Sequence, residues 1–204
     1  MQRTIVDVPQ GSPEWFTARR GRVTASEFHT VMASGKGSSP SKTRRTYMFK
    51  LIGERITGEC QESYTNAHME RGKAMEEEAR AYYEMLNGPV EQVGFIQLGD
   101  EIGGSPDFLV GDSGMGEIKT KLPHLQLEVL LSGKVPSEHI HQIQGGLWVA
   151  DREWCNFVSY WPGMKTFIKR VYRDPKMIAE IRVAVDAFIE ELHETMEQYN
   201  AIGG

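Results

Sequence analysis

Little in this chain is extreme, and each shortage removes a class of protein. Its 204 residues hold two cysteines, Cys60 and Cys155. They lack zinc-site spacing and are too few for a disulfide framework, so they read as free thiols. No apolar run approaches the length that spans a bilayer. The start, MQRTIVDVPQGSPEW, lacks the apolar core of a secretion signal, and a cytosolic protein is expected. There is no internal repeat. Nor is there a strong net charge: the chain carries -5, which by itself argues weakly against nucleic acid.

The distribution of charge says something else. Residues 1–58 balance to +6 and residues 59–204 to -11. A basic first third could meet phosphates while the acidic remainder faces solvent or gathers metal. Chance clustering on solvated helix faces explains the same numbers equally well. The length suits one domain.

The pattern predicts helices first. Ser12-Pro13-Glu14 opens one that stops at Gly21. Thr24-Ala25-Ser26-Glu27 has the form of a capping box, with Phe28, Val31 and Met32 on one face beyond it. A loop is expected over 33–40, then a helix from Ser41 to Gly58. A long helix should cover Ala67 to Leu86. Strands are expected at Val90–Leu98, Phe108–Val110 and Glu117–Lys119. A helix from Ser137 to Val149, strands near Trp154–Trp161 and Thr166–Tyr172, and a helix from Asp174 to Tyr199 complete a mixed α/β reading.

The central constellation is Asp107, Glu117 and Lys119. Positions i and i+2 share one face of a strand, so Glu117 and Lys119 point the same way. A tight hairpin between Phe108 and Met115 would bring Asp107 back beside them. Hard divalent cations want such an oxygen-rich site, and magnesium takes one or two carboxylates with water and phosphate completing its shell. Such an ion lowers the pKa of bound water and offsets phosphate charge. Lys119 could then orient or deprotonate the attacking water, or stabilise the transition state. A surface hairpin with an incidental Glu–Lys pair carries the same letters, since D…ExK is common by chance. The upstream helix adds candidate acids at Glu70, Glu76, Glu77 and Glu78.

Ser105-Pro106-Asp107, Glu117-Ile118-Lys119 and the run from Arg71 to Arg80 resemble the PD-(D/E)XK nucleases. Trp15 to Glu27 and His141-Gln142-Ile143-Gln144 make the resemblance narrower, to the lambda exonuclease/YqaJ-type viral recombinases. It runs from about Gly11 to Tyr172. It implies a restriction-endonuclease-like α/β core, a mixed central sheet flanked by helices, with a helical N-terminal part. That is one nuclease domain: residues 1–66 binding the DNA end, residues 67–204 forming the catalytic core and C-terminal helix. By resemblance, Asp107, Glu117, the Ile118 carbonyl and Glu76 hold two magnesium or manganese ions. Lys119 is the catalytic lysine, and Gln142 stands near the nucleophile. Arg19, Thr24 and Ser26 match a pocket for the DNA 5′-phosphate. A helix N-terminus at Thr24 and Ser26 would favour an anion on its own account. Arg44, Arg45 and Tyr47 are candidates to contact DNA.

The resemblance further implies a ring-shaped homotrimer threaded by linear duplex DNA. One strand is degraded from its 5′ end, and a single-strand annealing protein receives the 3′ overhang. The alternatives are another PD-(D/E)XK endonuclease, a single-strand nuclease, or a non-catalytic module that binds DNA ends.

Several patterns are set aside. Gly111-Asp112-Ser113-Gly114 copies a serine-protease tetrapeptide but reads as a hairpin turn. His139 and His141 would point to different faces of a helix. Gly35-Lys36-Gly37-Ser38 lacks the strand and spacing of a P-loop. Trp148, Trp154, Trp161 and Phe157 read as core rather than as base-stacking platforms.

Overall fold

The computed structural model describes residues 1–35, 41–60 and 67–202, and no side chains for 67–70 and 73. The Gly35–Ser38 pattern and Glu70 therefore fall partly or wholly outside the described residues. Capping chemistry fixes the helices. α1 (Pro13–Arg19) starts on Ser12, whose hydroxyl accepts from the Trp15 amide. α3 (Lys42–Thr57) starts on Ser41 and ends on Gly58 at φ 72°, a left-handed conformation that glycine adopts without strain. α7 (Pro175–Asn200) starts on Asp174, which accepts from the amides of Lys176 and Met177.

The capping box at Thr24 does not form. β2 (Val23–Thr24) runs into a 3₁₀ turn at Ala25–Glu27 and then α2 (Phe28–Val31). The Thr24 hydroxyl pairs with that of Ser26 at 3.1 Å, and Glu27 turns away to accept from Thr30 at 2.8 Å. Side chains with nearer partners abandon the reciprocal cap.

The strands form two four-stranded sheets rather than one. The first has the order β1 (Arg3–Val6), β3 (Phe95–Leu98), β4 (Ile102–Gly104), β2. The long strand expected at Val90–Leu98 is thus only its second half. Two strands from the first 66 residues are woven into this sheet, so the helical part is not separate from the rest. The second sheet runs β5 (Phe108–Val110), β6 (Gly114–Thr120), β7 (Trp154–Tyr160), β8 (Phe167–Tyr172). β5 and β6 are an antiparallel hairpin turning through Gly111–Ser113, and β6 and β7 are parallel. Gly116 has no side chain because the Phe108 ring fills that space: a Cβ would lie 1.9 Å from it.

α6 (Ile140–Ala150) lies in the middle of the larger core cluster with Phe28, Met115, Phe157 and the buried stripe of α7. α4 (Ala67–Asn87) covers the other face of the second sheet through Ala79 and Tyr83, which meet Ile118 and Val158. α5 (Pro123–Ser132) has no counterpart in the sequence reading. It is held by the buried Gln126, whose amide donates to the Ser159 and Lys165 carbonyls at 3.0 and 2.8 Å. A polar anchor with leucines outside leaves no amphipathic pattern to read.

Trp148 and Phe157 are core, as expected. Trp154 and Trp161 are half-buried instead, with Arg170 and Arg71 over their rings at 3.6 and 5.5 Å. Neither Cys60 nor Cys155 forms a disulfide among the described residues. No helix of the described residues is long and apolar enough to cross a membrane.

Candidate active site

The β5–β6 hairpin does what the spacing requires. The Asp107 amide donates to the Gly116 carbonyl at 3.1 Å. Its carboxylate accepts the Ile118 amide at 2.5 Å, which locks it beside β6. Glu117 is buried at the centre, and a single oxygen, Oε1, takes two donors: Lys119 Nζ at 2.7 Å and Gln142 Nε2 at 2.5 Å. Gln142 arrives from α6, so a helix and a strand 25 residues apart in sequence fix one carboxylate.

Glu76 on α4 acts on the same point. Burial raises the Asp107 carboxyl well above its ordinary value, and the charges of Glu117 and Glu76 raise it further. Burial opposes the Lys119 charge, but Glu117 and Asp107 outweigh it and lift the ammonium above its ordinary value. Burial and the same two acids push the Cys155 thiol up, so it is no nucleophile.

Among the described residues no group of three or more His, Cys, Asp and Glu could hold a metal ion. The donor set is narrower: the paired carboxylates of Asp107 and Glu117, joined by the charge of Glu76. Hard oxygens crowded with negative charge fit magnesium or manganese, which need few protein ligands and keep several waters. His139 and His141 offer no alternative. His139 stacks on Phe157 with centroids 5.5 Å apart, and burial lowers its pKa to about 4, helped by Lys121 and Lys119.

A cleft opens from Glu117 toward the N-terminal elements. Glu117, Gln142, Arg19, Ser26 and Ser105 line it. Arg19 lies over the Trp15 ring at 4.2 Å, and Trp15 Nε1 donates to Ser105 at 2.9 Å. One indole therefore sets both a cation and a hydroxyl in the cleft wall. Trp15 and Ser105 stood inside the quoted motifs without a role, and nothing local marks them. Thr24 does not line this cleft. It is buried and holds Ser26 by its hydroxyl. The turn at Ser26 is too short for a macrodipole of any weight, so an anion there would rely on Arg19 and the hydroxyls.

The expected DNA contacts divide. Tyr47 is 7% exposed, and its hydroxyl accepts the Thr24 amide, so its ring is core. Arg44 ties α3 to α7 through Glu191 at 2.5 Å. Arg45 is exposed beside Phe49. Part of the basic first third is therefore engaged in ion pairs within the chain, as the pairs of Arg55 with Glu101 and Arg3 with Asp151 also show.

Known proteins are similar to this chain. The model of the YqaJ-like viral recombinase domain matches residues 14–153. No curated protein sequence matches. Among solved structures, an alkaline exonuclease from Laribacter hongkongensis is similar at 38% identity with a TM-score of 0.83, over 93% of this chain and 96% of that one. The same exonuclease in complex with dAMP is similar at 38% identity and TM-score 0.83, over 92% and 96%. A phage related exonuclease from Haemophilus somnus 129PT, at 14% identity and TM-score 0.65 over 87% and 96%, shares the fold. With the paired acids and lysine at the centre, these likenesses support a nuclease of the lambda-exonuclease type. The chain belongs to the YqaJ-like viral recombinase domain family.

Proposed function

We propose that the chain is a 5′→3′ exonuclease that hydrolyses one strand of linear double-stranded DNA and leaves a 3′ single strand for recombination by annealing. The observation that carries this reading is the cleft in which Arg19 and Ser26 share a wall with Glu117 and Gln142. A terminal phosphate held by Arg19 and the two serine hydroxyls would place the next phosphodiester toward the acids.

Asp107 and Glu117, with the Ile118 carbonyl and Glu76, would hold two magnesium ions, or manganese. Bound there, they would supply a water of lowered pKa and offset charge on the phosphate oxygens. Gln142 and Lys119 hold Glu117 in place. Lys119, paired with Glu117, would orient the attacking water or stabilise negative charge on the phosphate. Arg45 would meet the DNA backbone, and residues 1–66 would serve as the end-binding part. A homotrimeric ring around the duplex, a single-strand annealing partner and a cytoplasmic site of action belong to the same reading.

The test uses linear duplex carrying one 5′-phosphate, beside closed circular duplex. Loss of the phosphorylated strand from its 5′ end, an intact circle, and loss of phosphate preference in Arg19→Ala are expected. Cutting of the circle, or equal rates on 5′-hydroxyl and 5′-phosphate ends, would refute the reading.

A further inference from the structure

Pro106 sits where the two sheets part. β3 and β4 pair as far as Ile96 and Gly104, and β5 begins at Phe108 in the other sheet. Ser105 and Pro106 lie between, outside both ladders, and Pro106 has no N–H to give. Two side chains of the N-terminal arm take over there. Gln10 Nε2 donates to the Val93 and Pro106 carbonyls, each at 2.9 Å. Trp15 Nε1 donates to the Gly94 carbonyl at 3.0 Å and to Ser105 Oγ. Both therefore bridge the chain entering β3 and the chain leaving β4. The arm runs so close that a Cβ at Gly94 would lie 2.1 Å from the Val8 carbonyl oxygen.

The two bridges reach different atoms. Trp15 meets a side chain, the Ser105 hydroxyl. Gln10 meets the carbonyl of the peptide unit that leads into Asp107. The other polar end of that unit, the Asp107 N–H, donates to the Gly116 carbonyl at 3.1 Å. A peptide unit is planar, so holding its oxygen and its N–H sets its orientation. The Asp107 carboxylate then accepts the Ile118 amide. Of these three bonds, only that from Gln10 comes from outside the β5–β6 hairpin. Both partners of Gln10 Nε2 are carbonyl oxygens, so its NH₂ must face them, and both of its donors are used.

We infer that Gln10 is a positioning residue for the Asp107 carboxylate, acting through the Pro106 carbonyl. Its bonds go to backbone, and it holds the unit from which a metal acid projects. This rests on the reading of Asp107 as a metal-holding acid. Gln10 is itself exposed and belongs to neither core cluster, so replacing it opens no cavity. The arm that carries Gln10 also carries Trp15, which meets Ser105 and lies under Arg19. The wall of the cleft and the acid thus share one support.

Gln10→Met tests the bonds themselves: the side chain keeps its length and its neutrality but loses both donors. Gln10→Ala removes the side chain as well. Manganese binding is measured by calorimetry without DNA, and hydrogen exchange of the Asp107 amide by NMR in chelator. Both variants should bind manganese about fivefold more weakly and exchange the Asp107 amide about fivefold faster, as the loss of one hydrogen bond implies. The Val158 amide, in the middle of the second sheet, should keep its rate, whereas a general loss of stability would move it too. Equal acceleration at Val158 overturns the inference. So does a Gln10→Met protein whose Asp107 exchange is unchanged, or whose manganese affinity equals that of an unmutated protein that binds the ion. If the unmutated protein binds no manganese, the metal reading fails instead, and exchange at Asp107 alone decides whether Gln10 holds the acid.

Discussion

Asp107 accepts the backbone amide of Ile118 across the β5–β6 hairpin at 2.5 Å. That bond needs an acceptor oxygen but not a negative charge. The charge is costly, because Glu117 and Glu76 face it in a buried setting.

Asp107→Asn should therefore fold, since its amide oxygen can still accept from Ile118. Hydrolysis of DNA should fall by about a hundredfold or more, in the range seen when a group acting in the transition state is lost. Without divalent ions the variant should melt higher than the unmutated protein, by roughly 2–4 °C for each kcal/mol of repulsion removed. Magnesium should raise the melting temperature of the unmutated protein and much less that of the variant. Thermal scans with and without magnesium check this, and a variant that melts lower in chelator contradicts it.

Gln142 acts on Glu117 rather than on bulk stability. Gln142→Ala should weaken the apparent magnesium affinity about 10- to 100-fold, the usual cost of losing a partner that orients a metal ligand. Activity at saturating magnesium should recover most of the loss. A magnesium titration of the rate decides it: an unchanged midpoint with a lower plateau would place Gln142 on the substrate instead.

His139 sets an acid limit to stability. Its pKa is lowered from 6.5 to about 4, first by burial and then by Lys121 and Lys119, against Glu138 and with His29. A depressed pKa means that the unfolded chain binds the proton more tightly. The stabilisation is complete above pH 6.5 and is lost as pH falls toward 4. His139→Phe keeps the stack on Phe157 and removes the titration. Its stability should fall less over that window, by on the order of 2 kcal/mol. Urea unfolding at several pH values measures the difference, and parallel curves for the two proteins would exclude it.

Two helical glycines should respond in opposite directions. A Cβ at Gly145 would lie 2.2 Å from the Phe28 ring, so Gly145→Ala should cost about 1–3 kcal/mol through overpacking. At Gly72 nothing among the described residues lies within 4 Å of an added Cβ, so Gly72→Ala should gain up to about 1 kcal/mol of helix propensity. Melting temperatures that move the same way would show that Phe28 can swing clear.

What could be read from the sequence was local. Ser12, Ser41 and Asp174 cap their helices with side chains next to the amides they satisfy, and Gly58 closes α3 for lack of a Cβ. What was missed depended on distant partners. β2 and β4 are two and three residues long; β2 is a strand only because it pairs with β4, Val23 against Ile102, and β4 because it lies between β2 and β3. α5 hides behind the polar anchor Gln126. The capping box failed because Thr24 and Glu27 each found another partner.

The sequence by itself determined the hairpin, the shared face of Glu117 and Lys119, and the return of Asp107 beside them. Turn chemistry and the two-residue period of a strand act over a few positions and need no knowledge of the rest. Only the tertiary structure decided that Gln142 reaches Glu117, that Tyr47 is buried while Arg45 is exposed, and that Arg19, Ser26 and Ser105 share a cleft with Glu117. Those relations depend on how α6, α3 and the N-terminal elements pack. Packing is set by side chains filling space across the whole core, and no short stretch of sequence contains it.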